Sequence, residues 1–487
     1  MASGKYAFKT TPYAHQLEAL THLRAWEVPE FAWLMGMGTG KSKVAADNVG
    51  ILHHVGLVDG WLIVAPKTVC RNWSDREIPA HLPDSIARHL TVWRPSGGKG
   101  WRSRFEAGLR FEGLAILVMN VEALSTKAGC EAAAEFLGAR RALFLIDEST
   151  TIKNPRAKRT RSAFQLSQLA RYRRICTGQP ITRDPLDAWA QFEFLRHGIL
   201  GDASFWSFRS RYAHLRERHV GGGRVVQEVV GFHDLDQLSR SLAQHSYRVT
   251  KEECLDLPPK VYQRREVEMT PDQRAVYSEM EADYVATVEA GTCSAQIALT
   301  KLMRLQQIAC GWMPLDGGGR AELPSNRLAA LLEVAEEVDG KAVVWATYVA
   351  DVERVHGALI ERFGPGASAM LTGAVEQSDR QASIDQFQDP VSRLRFLVGT
   401  PKTGGVGITL TAATTVVYYS NGWDLEARVQ SEDRAHRIGQ TRSVNYVDLV
   451  TPDSIDETVL EALAEKQLLA SVVMSSSRED LLKLVAR

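Results

Sequence analysis

The stretch FAWLMGMGTGKSKVAADNVG, residues 31–50, places glycines and a lysine between an apolar segment and a helical pattern. Phe31 to Leu34 is predicted to close a strand, and a helix is predicted from Ser42 onward. Backbone N–H groups of the loop and of the helix N-terminus can surround phosphate oxygens, with Lys41 as a point charge and Ser42 as a Mg²⁺ ligand. A glycine-rich turn before an ordinary helix is the alternative. The residues predicted to bind phosphate are Gly36, Gly38, Thr39, Gly40, Lys41 and Ser42.

A second stretch, ALFLIDESTTIKN at residues 142–154, runs from apolar residues into the acids Asp147 and Glu148. A solvated turn after a core strand is one interpretation of such a pair. A metal-binding strand end is the other, because open α/β sheets bind ligands at the carboxyl ends of their strands. The phosphate-binding loop favours the second interpretation. Asp147 is then predicted to hold Mg²⁺, directly or through water, and Glu148 to polarise the attacking water of a hydrolysis reaction.

The overall composition is that of an ordinary globular protein with several domains. The chain has 487 residues, of which 45% are hydrophobic and 24% charged, and this length suits two or three domains. No apolar run is long enough to span a membrane, and MASGKYAFKT does not have the pattern of a signal peptide. Six scattered cysteines without a C-x-x-C pair argue against a zinc site and favour a reducing compartment. The 58 basic and 58 acidic residues cancel, so local patches must bind any polyanionic partner.

Further motifs occur in order along the chain and, with the two stretches above, resemble helicase superfamily two and within it the Swi/Snf family of ATP-driven DNA translocases. The resemblance covers nearly the whole chain, and the His-Arg-Ile-Gly-Gln run that ends at Gln440 is close to diagnostic of Swi/Snf-type ATPases. The additional motifs are TPYAHQLEAL (11–20), WLIVAPKTVCRNW (61–73), ILVMNVEALST (116–126), RRICTGQPITRDPLDAWAQFEFL (173–195) and KTGGVGITLTAATTVVYYSNGWDLEARVQSEDRAHRIGQTRSV (402–444).

The resemblance implies roles for residues outside the loop and the acid pair, with ATP and Mg²⁺ as cofactors. Gln16 is expected to contact the adenine. Arg437 is expected to reach the γ-phosphate as an arginine finger, with Arg434 beside it, and such a finger typically raises the rate by about 10³–10⁵. Gln430 is assigned to catalysis, and Gly405 and Gly407 to nucleotide binding.

Several positions depart from the family pattern. The loop has Met35 where the strict pattern has glycine, and Thr409 stands where the family often has Asn. The usual Asp-Glu-Ala-His is Asp-Glu-Ser-Thr in this chain, and the usual Thr-Gly-Thr-Pro is Thr-Gly-Gln-Pro. Ser149 after Asp-Glu resembles the HepA-related, fork-remodelling branch, although the final His is missing. We expect a hydrogen bond between Thr150 and Gln179 to replace the family's contact between these two motifs.

The fold class predicted is α/β, with two RecA-like parallel-sheet lobes, short helical insertions and a C-terminal helical brace. Apolar, β-branched segments alternate with helical stretches in two sets, and each set predicts a mostly parallel sheet covered by helices. We expect ATP to bind in a cleft between the lobes. The strand segments are 61–66, 115–120, 142–147 and 173–177, then 342–347, 396–400, 415–419 and 446–450. The expected domains are lobe one (1–185), its helical protrusion (186–258), a helical protrusion of lobe two with the linker (259–330), lobe two (331–455) and the brace (456–487).

A basic stretch at residues 149–174 contains eight lysines and arginines and no acid. A solvated helix face and a nuclear-import signal are alternatives, but its position after the Mg²⁺ strand favours contact with a nucleic-acid backbone. The family's DNA-contacting motifs add residues at strand ends. Contacts of this kind carry no base information, so binding is expected to be independent of sequence. The predicted DNA contacts are Lys67, Asn72, Asn120, Lys153, Arg156, Lys158, Arg159, Arg161, Lys402 and Thr403.

The sequence thus predicts an ATP- and Mg²⁺-dependent motor on double-stranded DNA, including forked or branched DNA. It is expected to act as a monomer inside the cell, in the cytoplasm rather than the nucleus. It is not expected to bind a membrane. A helicase that separates DNA or RNA strands is one alternative. A nucleotide-gated clamp that binds DNA without travelling is the alternative from a different class.

Overall fold

A computed structural model describes residues 6–95, 97–220, 224–254, 256–289, 295–315, 317–402 and 408–474. The described chain divides into two compact units. The first unit contains residues 6–219, 225–254 and 467–474, and the second contains residues 256–466 together with Val220 and Arg224. Each unit has its own parallel sheet.

The first unit is built on a seven-stranded sheet with the strand order β3-β4-β2-β5-β6-β1-β9, in which all paired strands run parallel. Strands β7 and β8 form a separate two-stranded sheet. The strands are β1 (Glu30–Met35), β2 (Gly60–Ala65), β3 (Arg88–Val92), β4 (Leu114–Asn120), β5 (Ala142–Asp147), β6 (Tyr172–Thr177), β7 (Ala213–Val220), β8 (Arg224–Phe232) and β9 (Ser246–Val249).

Helices connect these strands, as parallel pairing requires. A π-helix at Trp73–Glu77 directly follows the helix Lys67–Asn72. Short 3₁₀ turns lie at His22–Arg24, Val121–Ser125 and Ser149–Ile152. The helices are α1 (Ala14–Thr21), α2 (Lys41–His54), α3 (Lys67–Asn72), α4 (Ile78–His81), α5 (Lys99–Arg110), α6 (Lys127–Ala139), α7 (Lys158–Ser167), α8 (Asp187–Leu195), α9 (Phe205–Tyr212), α10 (Leu235–Ala243) and α11 (Lys251–Cys254).

Strand β2 shows why its sequence is apolar at every position. Successive side chains of a strand point to opposite faces of the sheet. Trp61 and Ile63 join one buried cluster, whereas Leu62 and Val64 join another. Both faces of the sheet are therefore covered, which is the usual condition of a parallel sheet.

Residues 213–220 and 224–232 correct the expectation of a mainly helical segment after residue 186. They form β7 and β8 instead. The segment RVVQEVVGF is rich in β-branched valine, whose stiff side chain favours a strand over a helix. Strand β9, at the edge of the main sheet beside β1, lies in the same interval and is too short to carry a clear sequence signal.

The second unit contains a six-stranded sheet with the order β10-β17-β16-β13-β15-β14, again parallel throughout. Strands β11 and β12 form a small antiparallel pair. The strands are β10 (Lys260–Glu266), β11 (Trp312–Pro314), β12 (Arg320–Glu322), β13 (Lys341–Trp345), β14 (Ser368–Leu371), β15 (Phe396–Gly399), β16 (Ala413–Tyr418) and β17 (Val444–Val450). Its helices are α12 (Pro271–Glu289), α13 (Ala295–Ala309), α14 (Arg327–Glu337), α15 (Val349–Phe363), α16 (Gln377–Gln388), α17 (Leu425–Ala435) and α18 (Ile455–Met474).

A buried ion pair joins helices α14 and α18. Arg327 is fully buried and contacts the carboxylate of Asp456. The same guanidinium donates to the carbonyl of Tyr419 at 3.0 Å and to Thr451 Oγ1 at 3.1 Å. A buried charge is tolerated only when it is paired and hydrogen-bonded, so these contacts hold the start of α14 and the start of α18 against the sheet.

The predicted α/β class with two parallel sheets is confirmed. All eight predicted strand segments coincide with strands of the two sheets, since β-branched apolar runs are a strong local signal. The proposed domain boundaries stay predictions. Within the described residues, no helix is long and apolar enough to cross a membrane.

Candidate functional site

The predicted phosphate-binding loop connects the end of β1 to the start of α2. Gly38 and Gly40 have φ values of 81° and 89°, a left-handed conformation that glycine adopts readily. A Cβ atom on Gly40 would also lie 2.1 Å from Gln16 Nε2. Met35, the departure from the strict pattern, is the last residue of β1 and is paired with Val249 of β9, so a side chain is accommodated at this position.

Two neighbours from α1 support the loop. Gln16 Nε2 donates to the carbonyl of Thr39 at 3.0 Å, and His15 Nε2 lies 2.7 Å from the same oxygen. Gln16 Oε1 accepts from the N–H of Tyr13 at 3.0 Å. Gln16 is buried and braces the loop from behind. Its contact with adenine stays a prediction.

The start of α2 offers donors and a positive charge. Its N-cap is Gly40, which supplies no side-chain cap to the first N–H groups of the helix. Lys41 is half-buried, and its ammonium donates to the carbonyls of Met35 at 3.0 Å and Gly36 at 3.3 Å. Ser42 lies in the same first turn. Uncapped N–H groups, the helix dipole and Lys41 together make this end of α2 suitable for an anion.

The carboxylate of Asp147 is buried at the end of β5. Trp73 Nε1 donates to Asp147 Oδ2 at 2.8 Å, and the N–H of Glu148 donates to Oδ1 at 3.0 Å. Burial raises the pKa of the Asp147 carboxyl, whereas the Trp73 hydrogen bond and the positive charge of Lys41 oppose that rise. Trp73 begins the π-helix after α3, and such short π segments are frequent at functional sites.

Glu148 has a strained backbone. Its φ of 51° and ψ of 63° place a non-glycine residue in the left-handed region, at a cost of about 1–3 kcal/mol. The conformation ends β5 abruptly and starts the 3₁₀ turn at Ser149. Glu148 is half-buried, whereas its neighbours Asp147 and Ser149 are buried. The left-handed backbone therefore turns the second acid away from the course of the strand.

The two motifs that depart from the family pattern are connected by Gln191, a residue that the sequence interpretation did not select. Ser149 Oγ donates to Gln191 Oε1 at 2.7 Å, and Gln191 Nε2 donates to the carbonyl of Pro180 at 2.6 Å. Gln191 is fully buried in α8. The structure thus links Asp-Glu-Ser-Thr to Thr-Gly-Gln-Pro through Ser149. The expected Thr150–Gln179 hydrogen bond stays a prediction.

The predicted DNA contacts that follow or end β2 and β4 lie at the carboxyl ends of the strands, and Asp147 ends β5 at this same edge of the sheet. Ala65, at the end of β2, is paired with Asn120 at the end of β4, and Lys67 begins the helix after β2. Neighbouring strands are about 4.8 Å apart, so β4 lies roughly 19 Å from β1 along the sheet order. Asn72 donates to Glu77, and Asn120 to Glu122, both at 2.8 Å.

The basic stretch separates into structural and exposed residues. Arg174 is fully buried, where it donates to Asn48 Oδ1 and to the carbonyls of Ala25 and Val28. Burial lowers the pKa of its guanidinium to about 9. Lys153 contacts Thr182 Oγ1 and lies 3.8 Å from Asp187. Arg159 is half-buried. The exposed members are Arg156, Lys158, Arg161 and Arg171.

The two arginines of the second unit have different environments. Arg434, on α17, is 2% exposed, and its Nη1 lies 3.5 Å from the carbonyl of Ile408. Arg437 is half-buried in the turn that follows α17, where its carbonyl accepts from the N–H of Gln440 at 2.9 Å. Gln430 donates to Glu426 Oε1 at 3.2 Å. Arg437 is thus the accessible member of the pair.

Gln440 and His436 hold that turn in place. Gln440 is buried, and its Nε2 donates to the carbonyls of Thr411 and Ala413 at 3.0 Å and of Ala435 at 3.2 Å. His436 Nε2 lies 2.7 Å from the carbonyl of Pro258, which fixes the segment before β10. The family-diagnostic run therefore has a structural role beside the turn of Arg437.

The remaining predicted residues lie in or next to an interval outside the described residues. Lys402 is exposed and lies 3.4 Å from Asp424 Oδ2. Thr403, Gly405 and Gly407 fall outside the described residues.

Trp73 and Trp61 provide a matched test of the hydrogen bond to Asp147. The two indoles are fully buried and contact each other edge to face at 5.4 Å. Within the described residues, Trp61 Nε1 has no hydrogen-bond partner. Trp73→Phe is expected to lower the free energy of unfolding by about 1.5–3 kcal/mol more than Trp61→Phe, because only the former removes a bond to a charged group. Urea denaturation of both variants measures the difference, and equal losses would contradict the role of Trp73.

Two family models match the sequence of the chain. The family model of the SNF2-related domain matches residues 18–312, and that of the helicase conserved C-terminal domain matches residues 325–439. Among solved structures, one described as the Sulfolobus solfataricus SWI2/SNF2 ATPase core in complex with dsDNA aligns over 99% of both chains. Its identity is 20% and its TM-score is 0.42.

Three relatives have descriptive names. A candidate ATP-dependent helicase/translocase of Bacillus subtilis, YwqA, is 26% identical over 85% of this chain and 43% of its own length. The ISWI chromatin-remodeling complex ATPase ISW1 of Saccharomyces cerevisiae is 26% identical over 95% and 41%. An ATP-dependent helicase of Mycoplasma pneumoniae is 24% identical over 96% and 44%.

The chain therefore spans less than half the length of these relatives. A place in the HepA-related branch stays a prediction. The first family model alone covers more than half of the chain. The predicted resemblance to the Swi/Snf family is thus confirmed, and the protein belongs to the SNF2-related domain family.

Proposed function

We propose that the protein is a DNA-stimulated ATPase that moves along double-stranded DNA. One observation carries the proposal: a single edge of the first sheet holds the predicted nucleotide site and the predicted DNA contacts. Along that edge lie Asn120 at the end of β4, Lys67 after β2, Asp147 at the end of β5 and the glycine loop after β1. The names of the three relatives, two helicases and a remodelling ATPase, support an ATP-driven motor.

The residues present fit ATP and Mg²⁺. The loop has left-handed backbone at Gly38 and Gly40, which lets the main chain bend closely around a phosphate. Asp147 presents a buried carboxylate, a hard oxygen ligand of the kind that Mg²⁺ prefers, and Ser42 supplies a hydroxyl at the helix start. When bound, Mg²⁺ would neutralise negative charge on the phosphates.

Residues of the chain itself would then have separate roles in hydrolysis. Lys41 offsets phosphate charge in both the ground state and the transition state. Glu148 orients and deprotonates the attacking water, and its left-handed backbone sets the direction of the side chain. Arg437 acts as the arginine finger, the role given by the family pattern, and Gln440 keeps its turn in place.

DNA is proposed to bind through its backbone. Lys67 and Asn120 offer donors at the ends of neighbouring strands, and Arg156, Lys158 and Arg161 offer exposed charge. Backbone contacts of this kind give binding that weakens with salt and does not depend on sequence. A change of nucleotide state at Asp147 reaches the helix of Lys67 through Trp73, which follows that helix directly.

The first test concerns hydrolysis. Lys41→Ala is expected to abolish ATP turnover, and Glu148→Gln to retain ATP binding while losing turnover. Glu131→Gln, which changes an exposed carboxylate of α6, is the control. The assay measures phosphate release with double-stranded DNA, single-stranded DNA, forked DNA or RNA as the only variable. Near wild-type turnover by Glu148→Gln would exclude Glu148 as the residue that activates water.

A second test separates the two arginines. Arg437→Ala is expected to leave the melting temperature and ATP affinity close to wild type and to lower DNA-stimulated turnover by on the order of 10³-fold, since a finger acts mainly in the transition state. Arg434→Ala removes a buried side chain and is expected to lower the melting temperature as well. The assignment of Arg437 fails if its variant keeps wild-type turnover.

A third test distinguishes a motor from a clamp. A motor is expected to displace the third strand of a triplex placed far from the loading site, and only with hydrolysable ATP. A clamp binds DNA and hydrolyses ATP without displacing the strand. Displacement is measured by gel electrophoresis, with Lys41→Ala as the inactive control. Displacement that is equal with a non-hydrolysable analogue, or none despite vigorous DNA-stimulated hydrolysis, would argue against translocation.

A further inference from the structure

Helix α9 of the first unit presents a tryptophan to solvent. Trp206 is 54% exposed, whereas the other ten tryptophans of the chain are buried or half-buried. The helix itself is anchored by Phe208, which is fully buried in the main core, and by Phe205, which packs against it. Packing of α9 therefore does not account for the exposed indole.

Two guanidinium groups contact the indole of Trp206. Arg156 Cζ lies 5.0 Å from the ring centroid and Arg209 Cζ lies 5.6 Å from it. Arg209 also donates to the carbonyl of Gln227 on β8 at 2.6 Å, which restricts its movement. Cation–π contacts at exposed sites are worth about 0.5–1 kcal/mol each, so the two contacts together favour this orientation of the indole.

The charge around Trp206 is uncompensated. Within the described part of the first unit, Arg156, Lys158, Arg161 and Arg209 form no ion pair with a carboxylate. Elsewhere in the unit, exposed arginines such as Arg102 do pair with carboxylates. Arg156 and Arg209 lie at the ring, and Arg161 donates to the carbonyl of Arg156 at 3.1 Å. These neighbouring cations without a carboxylate partner, in a chain with equal numbers of basic and acidic residues, mark a surface for an anionic partner.

We propose that Trp206, with Arg156 and Arg209, binds an unpaired nucleobase next to a DNA duplex. The indole stacks on the base, and the arginines with Lys158 and Arg161 bind the adjoining phosphates. The site would direct the enzyme to DNA with a single-stranded tail or junction, in addition to the duplex contacts along the sheet edge.

The aromatic ring is what favours a base over a phosphate. Backbone recognition requires only cations and hydrogen-bond donors, and an exposed indole adds nothing to it. Every nucleobase has an apolar face that can stack on the ring, so the contact does not depend on the DNA sequence. A nearby arginine adds a cation–π contribution. Inside an intact duplex these faces are covered by neighbouring bases, so the partner has to be unpaired.

This inference rests on the proposed function only in taking DNA as the partner. Binding is measured by fluorescence anisotropy without nucleotide, using a blunt duplex, the same duplex with a single-stranded tail, and the single strand alone. The variants are Trp206→Ala, Trp206→Phe and the double change Arg156→Gln with Arg209→Gln. Arg141→Gln is the control for loss of charge, because Arg141 is exposed, pairs with Asp59 and precedes β5 at the opposite edge of the sheet.

Trp206→Ala is expected to weaken binding of the tailed duplex and the single strand by roughly 5- to 100-fold, the range that loss of one stacked base gives, and to leave blunt-duplex binding within about twofold. Trp206→Phe is expected to recover part of the loss, since phenylalanine also stacks. The double arginine variant is expected to weaken binding of all three DNAs. Wild-type tryptophan fluorescence is expected to be quenched by the tail, and this quenching should be absent from Trp206→Ala.

An equal loss on blunt and tailed duplexes would overturn the base-stacking role, and so would an unchanged affinity for every DNA. If the wild-type protein binds duplex DNA and hydrolyses ATP but Trp206→Ala keeps its preference for tails, only this inference fails. If the wild-type protein binds none of the three DNAs, the proposed function fails as well.

Discussion

The buried carboxylate of Asp147 places the strongest constraint on the first unit. Removing a carboxylate from water costs several kcal/mol unless hydrogen bonds and opposite charge compensate. The compensation comes from the indole of Trp73, the N–H of Glu148 and the charge of Lys41. These groups belong to three separate elements, so the glycine loop, the end of β5 and the helix after β2 have to keep one relative geometry.

Two hydrogen-bonded links extend from this point along the sheet edge. Trp73 connects Asp147 to the helix that begins at Lys67, and Gln191 connects Ser149 to Pro180. The groups in both links are buried, and a buried polar group left without a partner costs about 1–3 kcal/mol. Breaking either link therefore costs free energy. This property suits a connection between the predicted nucleotide site and the predicted DNA contacts.

In the second unit, one residue of a motif is accessible to a ligand while its neighbours hold the main chain in place. The run that identifies the family in the sequence contains Arg437, yet its neighbours Gln440 and His436 bind main-chain carbonyls and hold the turn. Arg434, three residues earlier, is buried. A motif of adjacent residues thus combines a side chain available to a ligand with side chains that fix its position.

The α/β class, the glycine loop and the acid pair follow from the amino-acid sequence alone, because they depend on local patterns of apolar, glycine and charged residues. Which polar residues meet, in contrast, depends on the tertiary structure. Trp73 and Asp147 are distant in sequence and adjacent in the fold. Arg174 and Arg156 are alike in the sequence, but one lies on a central strand of the sheet and is buried, whereas the other is exposed beside Trp206. Burial and partnership depend on the packing of distant segments, and no local pattern contains that information.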